Sequence, residues 1–191
     1  MKIRVIVPCY NEGEVVLKTY DKLTEIMKKD SLIKNYEYDL LFINDGSTDT
    51  TIHHIKNIVA YDNHVKYLSF SRNFGKEAAM IAGYQHSTMH DAVIMIDGDL
   101  QHPPEYIPQM IEGYIEGYDQ VVAKRNRQGE NFVRKTLSRC YYKLINAFVE
   151  DIQFEDGVGD FRLLSRRAVQ ALTTLDEYNR FSKGLFGGLQ Q

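Results

Sequence analysis

AVIMIDGDLQHP, residues 92–103, opens with five uninterrupted apolar side chains, Ala92 to Ile96, and then turns abruptly acidic. An apolar run of this length, rich in β-branched residues, predicts a strand buried on both faces, as in a parallel sheet. Asp97-Gly98-Asp99 then sets two carboxylates one residue apart at the end of that strand. Such a pair is costly unless something compensates it. Asp99 and Gln101 offer hard oxygen donors suited to Mg²⁺ or Mn²⁺, ions that need no all-protein cage when a diphosphate completes the shell. An ordinary acidic turn is the plain alternative. Pro103-Pro104 ends the loop and starts a helix.

Working outward, the same unit repeats along the chain. Lys2–Val7 predicts a first strand, followed by the loop Pro8-Cys9-Tyr10-Asn11-Glu12-Gly13-Glu14 and an amphipathic helix over Glu14–Lys29. Tyr38–Asn44 is a second strand, ending at Asp45-Gly46-Ser47-Thr48-Asp49. Thr48 or Asp49 is expected to cap a helix over Thr50–Ala60, whereas Asp45 is read as a site residue. Val65–Phe70 is a third strand; Ser71-Arg72-Asn73-Phe74-Gly75-Lys76-Glu77 leads from it into a helix over Ala78–His86. The small residues Ala78, Ala79, Ala82 and Gly83 let that helix approach the sheet closely. A helix over Pro104–Glu116 and a fifth strand, Gln120–Ala123, complete the pattern. Alternating strands and helices predict an α/β fold, a mostly parallel sheet covered on both faces with right-handed crossovers. Ligands in such folds bind at the carboxyl ends of strands. No glycine-rich dinucleotide fingerprint follows the first strand.

The character changes after the fifth strand. From Lys124 to Lys143 there are seven Lys or Arg and one acid, Glu130. Gln128–Val149 predicts a long basic amphipathic helix, which suits a solvated face, a nucleic-acid patch or a membrane surface near a phosphate site. Asp160 and Arg162 alternate with Phe161 and Leu163, so they share one face of a strand. Ala168–Leu175 predicts a short helix.

Composition bounds the function. The 191 residues are 43% hydrophobic and 26% charged, a globular balance, and the net charge of −3 gives no reason to expect nucleic acid. Cys9 and Cys140 form no CxxC pair, which with the lack of a signal peptide predicts a reducing, cytoplasmic setting. There is no apolar run of roughly 18 residues that would span a bilayer. His102 is read as a phosphate-positioning or packing residue, and His53-His54 as surface. Cys9 has no base beside it in the sequence pattern and is not expected to be a nucleophile.

Four motifs now stand in order at strand ends: Val7-Pro8-Cys9-Tyr10-Asn11-Glu12, Asn44-Asp45-Gly46-Ser47, Asp97-Gly98-Asp99 with Gln101-His102-Pro103, and Gly159-Asp160-Phe161-Arg162. The set resembles family 2 glycosyltransferases of the GT-A fold. With Ser71–Glu77 and Arg180-Phe181-Ser182-Lys183-Gly184 it resembles, more narrowly, the polyprenyl-phosphate glycosyltransferases, the group of dolichyl-phosphate mannose synthase and the bactoprenol glucosyltransferases. The resemblance covers essentially the whole chain and implies a single GT-A catalytic domain over 1–191, followed in the full-length protein by membrane helices.

It also implies an inverting transfer from a nucleotide-sugar donor, UDP-glucose or UDP-N-acetylglucosamine ahead of GDP-mannose, to a polyprenyl phosphate in cell-envelope glycan synthesis. Pro8, Tyr10, Glu12, Asp45, Asp97 and Arg162 would bind the donor, with Tyr10 near the base. Asp99, Gln101 and Asp97 would hold the metal. Asp160 would be the catalytic base, with Asp99 and Arg125 in the catalytic set. Arg125, Arg134 and Ser138 would take the acceptor phosphate. The implied setting is the cytoplasmic face of a membrane, with homo-oligomers possible in this group. Rival readings are a transferase acting on a sugar hydroxyl, a nucleotidyltransferase, an aspartyl phosphatase, and a non-catalytic docking module. Pro8–Glu14 lacks the glycine- and basic-rich loop of the nucleotidyltransferases, and the Asp-x-Asp pair ends a later strand than phosphatase chemistry requires.

Overall fold

A computed structural model describes residues 1–124 and 158–174. The proposed basic helix over Gln128–Val149 and the Arg180–Gly184 motif lie outside the described residues, as do Arg125, Arg134 and Ser138. The elements run β1 (Lys2–Cys9), α1 (Val16–Lys34), β2 (Glu37–Asn44), α2 (Thr51–Tyr61), β3 (Val65–Ser69), α3 (Lys76–Gln85), β4 (Ala92–Met95), a 3₁₀ turn (Pro104–Tyr106), α4 (Ile107–Ile115), β5 (Gln120–Lys124), β6 (Val158–Ser165) and α5 (Arg166–Thr174). The helix expected over Pro104–Glu116 thus begins as a tighter 3₁₀ turn, with Pro104 at its start.

The sheet order is β3-β2-β1-β4-β6-β5. β1 pairs in parallel with β2 and β4, and β2 with β3. β6 alone runs the other way, antiparallel to both β4 and β5. This reversal matters for function. β1, β2 and β4 end at one edge of the sheet, and β6 starts there. The register Met95↔Arg162 carries Asp160, two residues earlier, to the level of Asp97, two residues later.

Side-chain alternation sorts the core into two layers. Ile3, Val5, Phe42, Ile94, Phe161 and Leu163 pack with α1, α2 and α4. Ile6, Leu41, Ile43, Met95 and Leu164 pack on the other face, with Ala79, Met80 and Tyr84 of α3 and Val169 of α5. Asp97 and Asp160 share the parity of this second layer, so both are directed to the α3 side. Helix α3 rides low there: a Cβ on Gly83 would stand 2.7 Å from Ile6 Cγ2 and 2.8 Å from Ile43 Cδ1. Among the described residues no helix is long and apolar enough to cross a membrane.

A buried ion pair closes the opposite end of this face. Arg4 and Asp39 are register partners on β1 and β2. The guanidinium donates from Nε and Nη2 to the two Asp39 oxygens at 2.5 and 2.8 Å, and from Nη1 to the His86 carbonyl at 2.6 Å. His90 Nε2 lies 3.2 Å from Asp39. Burial alone would raise the Asp39 pKa, but the bonds and charges of Arg4 and His90 outweigh it and hold the carboxyl well below the ordinary range.

Asp39→Ala strands the buried Arg4 charge and is expected to cost about 3–5 kcal/mol in urea unfolding at neutral pH. The depressed carboxyl contributes fully above its ordinary value of 3.8 and loses that contribution as pH falls towards its folded value. The gap between wild type and variant should therefore narrow in acid.

Candidate active site

Two loops at the carboxyl edge are laced together first. Asn11, at φ 55°, donates its N–H to Ser47 Oγ at 3.0 Å and accepts the Thr48 N–H at 2.9 Å. The Glu12 N–H meets Thr51 Oγ1 at 2.8 Å, and the Gly13 N–H meets Asp49 Oδ2 at 2.9 Å. Asp49 also accepts the Thr51 N–H at 3.0 Å. The expected cap is thereby corrected: Thr50 occupies the N-cap position without a side-chain bond, and Asp49 serves the first helical turn from one residue further back. It does so because the same carboxylate is shared with the neighbouring loop.

Asp45 holds the third loop. It is buried and accepts the Phe74 N–H at 2.7 Å and the Gly75 N–H at 2.9 Å, one on each oxygen. Gly46 lets the backbone come this close: its φ is +64°, and a Cβ there would stand 2.2 Å from the Arg72 carbonyl carbon. The Arg72 guanidinium lies 4.8 Å over the Phe74 ring. This pinned loop aims Lys76, the first residue of α3, at the carboxylates of β4 and β6.

Lys76 Nζ lies 2.6 Å from Asp97 Oδ1 and 2.6 Å from Asp160 Oδ2. Burial opposes its charge, but the bonds to Asp160 and Asp97 prevail and raise its pKa. Behind Asp160, Arg162 Nη2 is 3.8 Å from Oδ1 and deeply buried. Burial works against the guanidinium charge, and Tyr84 and Asp160 support it. On the far side, His102 Nδ1 stands 3.7 Å from Asp97 Oδ2, with its ring against Phe161. Asp99 Oδ1 accepts the Gln101 N–H at 2.9 Å, across Leu100 at φ 57°. The Thr19 hydroxyl donates to the Gly98 carbonyl at 2.7 Å and ties this turn to α1.

A cleft of about 270 Å³ opens over these groups. Of the residues expected at the site, Pro8, Tyr10, Glu12, Asp45, Asp97 and Asp99 line it. Asp160 and Arg162 join it through Lys76. Gln101 is exposed and reaches Asp99 through its backbone, and it is not among the lining residues. Asn73 and Lys76 line the cleft without having been singled out by the sequence. The signal for Lys76 was present: a cation directly after Gly75 in the loop that follows β3, where β1, β2 and β4 run into acids.

The cleft is electronegative. Glu12 titrates higher than usual because of partial burial and then the charges of Asp99, Asp49 and Asp97. Burial, followed by the charges of Glu12, Asp49 and Asp97, pushes the Cys9 thiol far up, so it is no nucleophile. Such a field suits a divalent cation. Among the described residues no three His, Cys, Asp or Glu side chains are grouped to hold a metal alone. An ion held by Asp97 and Asp99 would need its shell completed from outside the protein, as a diphosphate does for Mg²⁺.

The family model described as "Glycosyl transferase family 2" matches residues 4–173. The chain belongs to this family. CsbB of Bacillus subtilis (strain 168) is 55% identical over 184 residues, 96% of this chain and 54% of the relative. The bactoprenol glucosyl transferase of Shigella phage SfX is 43% identical over 186 residues, 97% of this chain and 59% of the relative. The chain thus spans little more than half the length of these curated relatives. Among solved structures, the mannosyltransferase PcManGT of Pyrobaculum calidifontis, in complex with GDP-Man and Mn²⁺, shares the fold. Its TM-score is 0.60 at 15% identity, over 89% of this chain and 46% of that one. The expected GT-A architecture is thereby met by this member of the family.

Gly46→Ala forces a side chain into the Arg72 backbone at a left-handed φ. It should lower stability by about 1–3 kcal/mol. Thermal unfolding checks the cost, and faster hydrogen exchange of the Phe74 and Gly75 N–H groups in the same variant would trace it to the Asp45-held loop.

Proposed function

We propose that this family 2 domain transfers a sugar from a nucleotide-sugar donor to a polyprenyl phosphate. The observation that carries the reading is the convergence of Asp45, Asp97, Asp99 and Asp160 on one cleft at the carboxyl edge. The name of the phage SfX relative, at 43% identity, supports a polyprenyl acceptor and glucose as the sugar. UDP-glucose is therefore the favoured donor, with UDP-N-acetylglucosamine next. The PcManGT complex supports a nucleotide sugar with a divalent ion in this fold. A polyprenyl acceptor resides in a membrane, so the proposed reaction takes place at a membrane surface, on the family resemblance its cytoplasmic face.

The donor's nucleoside enters between Pro8, Tyr10 and Asp45. Tyr10 is 46% exposed, so its ring face is free to receive the base. Asp45 already accepts two backbone bonds and has lone pairs left for the base or ribose. Asp99 and Asp97 would hold Mg²⁺ or Mn²⁺ against the diphosphate, and the ion, when bound, neutralises charge that builds on the leaving group. The acceptor phosphate oxygen attacks the anomeric carbon opposite the leaving diphosphate. A carbon–oxygen bond to the acceptor forms as that to the diphosphate breaks, and the configuration inverts. A phosphate at neutral pH is already ionised, so no proton has to leave it. Asp160 then acts by orienting its neighbours at the reacting centre; with a sugar-hydroxyl acceptor it would have to act as base. Arg125, Arg134 and Ser138 are the proposed acceptor-phosphate residues on the family resemblance.

The test is mass spectrometry of lipid products after incubation with UDP-glucose, UDP-N-acetylglucosamine or GDP-mannose, a short polyprenyl phosphate and Mg²⁺ or Mn²⁺. A glycosyl polyprenyl phosphate from a UDP-sugar is expected. Asp99→Ala should lower turnover by about 10³-fold, the scale of lost electrostatic stabilisation. Sugar transfer to hydroxyl acceptors alone, with the lipid phosphate untouched, would overturn the reading.

A further inference from the structure

Asp97 leaves β4 and Asp160 opens the antiparallel β6 at the same level of the sheet, on the same face. One ammonium spans both. The two Asp oxygens bonded to Lys76 lie at 2.6 Å from its Nζ, within about twice that distance of each other. At such separations two carboxylates repel strongly unless a cation lies between them. Neither neighbour supplies it as closely: His102 stands 3.7 Å from Asp97, and Arg162 Nη2 stands 3.8 Å from Asp160. The lysine is also held to its task. It is the first residue of α3, which Gly83 lets sit on the sheet, and its loop is pinned by Asp45.

The arrangement creates a conflict. The Asp97 oxygen that the ammonium occupies belongs to the carboxylate pair that fits a divalent ion. Both cations cannot share it at bonding distance without mutual repulsion.

We propose that Lys76 is a placeholder cation: it holds Asp97 and Asp160 in register until a divalent ion binds, yields Asp97 to the incoming ion, and keeps Asp160. The lysine is then a positioning residue acting through the two carboxylates. This inference rests on the metal-dependent donor site proposed above. It makes metal entry and the setting of Asp160 one event, since among the described residues Asp160 is the carboxylate left to the ammonium once Asp97 is taken.

Binding of Mn²⁺ to the purified chain without nucleotide, read from the paramagnetic resonance signal of free Mn²⁺, tests it in wild type and Lys76→Met. The variant keeps the side-chain length and removes the competitor. It should bind Mn²⁺ about tenfold more tightly, the effect of one modest ion pair. Structural damage would weaken binding instead, so equal or weaker affinity overturns the proposal. Lys76→Arg, which keeps the charge, should stay near wild type. A second readout avoids any folding defect: in wild type, the NMR signal of the Lys76 Cε methylene should move on saturation with Mg²⁺. A stationary signal at saturation overturns the proposal as well. Should Lys76→Met keep wild-type Mn²⁺ affinity but bind UDP tenfold more weakly without metal, the lysine is a diphosphate ligand and the placeholder role is wrong. Failure of the wild type to take up Mn²⁺ even with UDP present would bring down the metal-dependent donor reading itself, and this inference with it.

Discussion

Carboxylates crowd one edge of this sheet, and the cleft exists in its present form because one ammonium lies among them. Glu12, Asp49, Asp97, Asp99 and Asp160 come from four different segments of the chain. Their mutual repulsion is visible in Glu12, whose proton is retained to higher pH by partial burial and by three acidic neighbours. Lys76 bonds the two that stand opposite each other across β4 and β6. Asp49 and Asp99 accept backbone N–H groups, as does Asp45 beside them. The result is a site that is negative overall, with its opposed pair Asp97 and Asp160 bridged by one ammonium.

The fold delivers this by two devices. Parallel strands bring the ends of β1, β2 and β4 to one edge, and the antiparallel β6 returns the chain to it from the far side. Alternation then directs Asp97 and Asp160 to the α3 face, while Phe161 and Leu163 fill the core on the other. Arg4 and Asp39 lock the opposite end of that α3 face. The same face therefore carries a permanent ion pair at one end and an exchangeable one at the other. The first is buried and bidentate; the second is partly exposed at the mouth of the cleft.

Much of this is legible in the residues. The strand runs are continuous and apolar, so their order and their acidic ends could be read directly, and Asp45, Asp97 and Asp99 do meet in one cleft. The small-residue face of α3 also announces its close approach to the sheet. Elsewhere local pattern was insufficient. The placement of β6 between β4 and β5 is a matter of long-range pairing, which hydrophobic periodicity does not encode. The helix-cap expectation is met only in part: Asp49 accepts the first helical N–H, but from one residue before the N-cap, and it also serves the Gly13 loop. Lys76 escaped notice because its partners are distant in the chain and are brought to it only by the register of β4 with β6. The left-handed turn at Leu100, which presents the Gln101 backbone to Asp99, is likewise not announced by the residue pattern.

The central claim is that this carboxyl-edge cleft is a donor site that takes a nucleoside diphosphate together with a divalent ion. Calorimetric titration of UDP into the folded chain, with Mn²⁺ and then with EDTA, tests it most directly. The account predicts saturable binding of UDP with Mn²⁺ that EDTA abolishes. Binding of neither UDP nor GDP under either condition, in a sample shown to be folded, would contradict it.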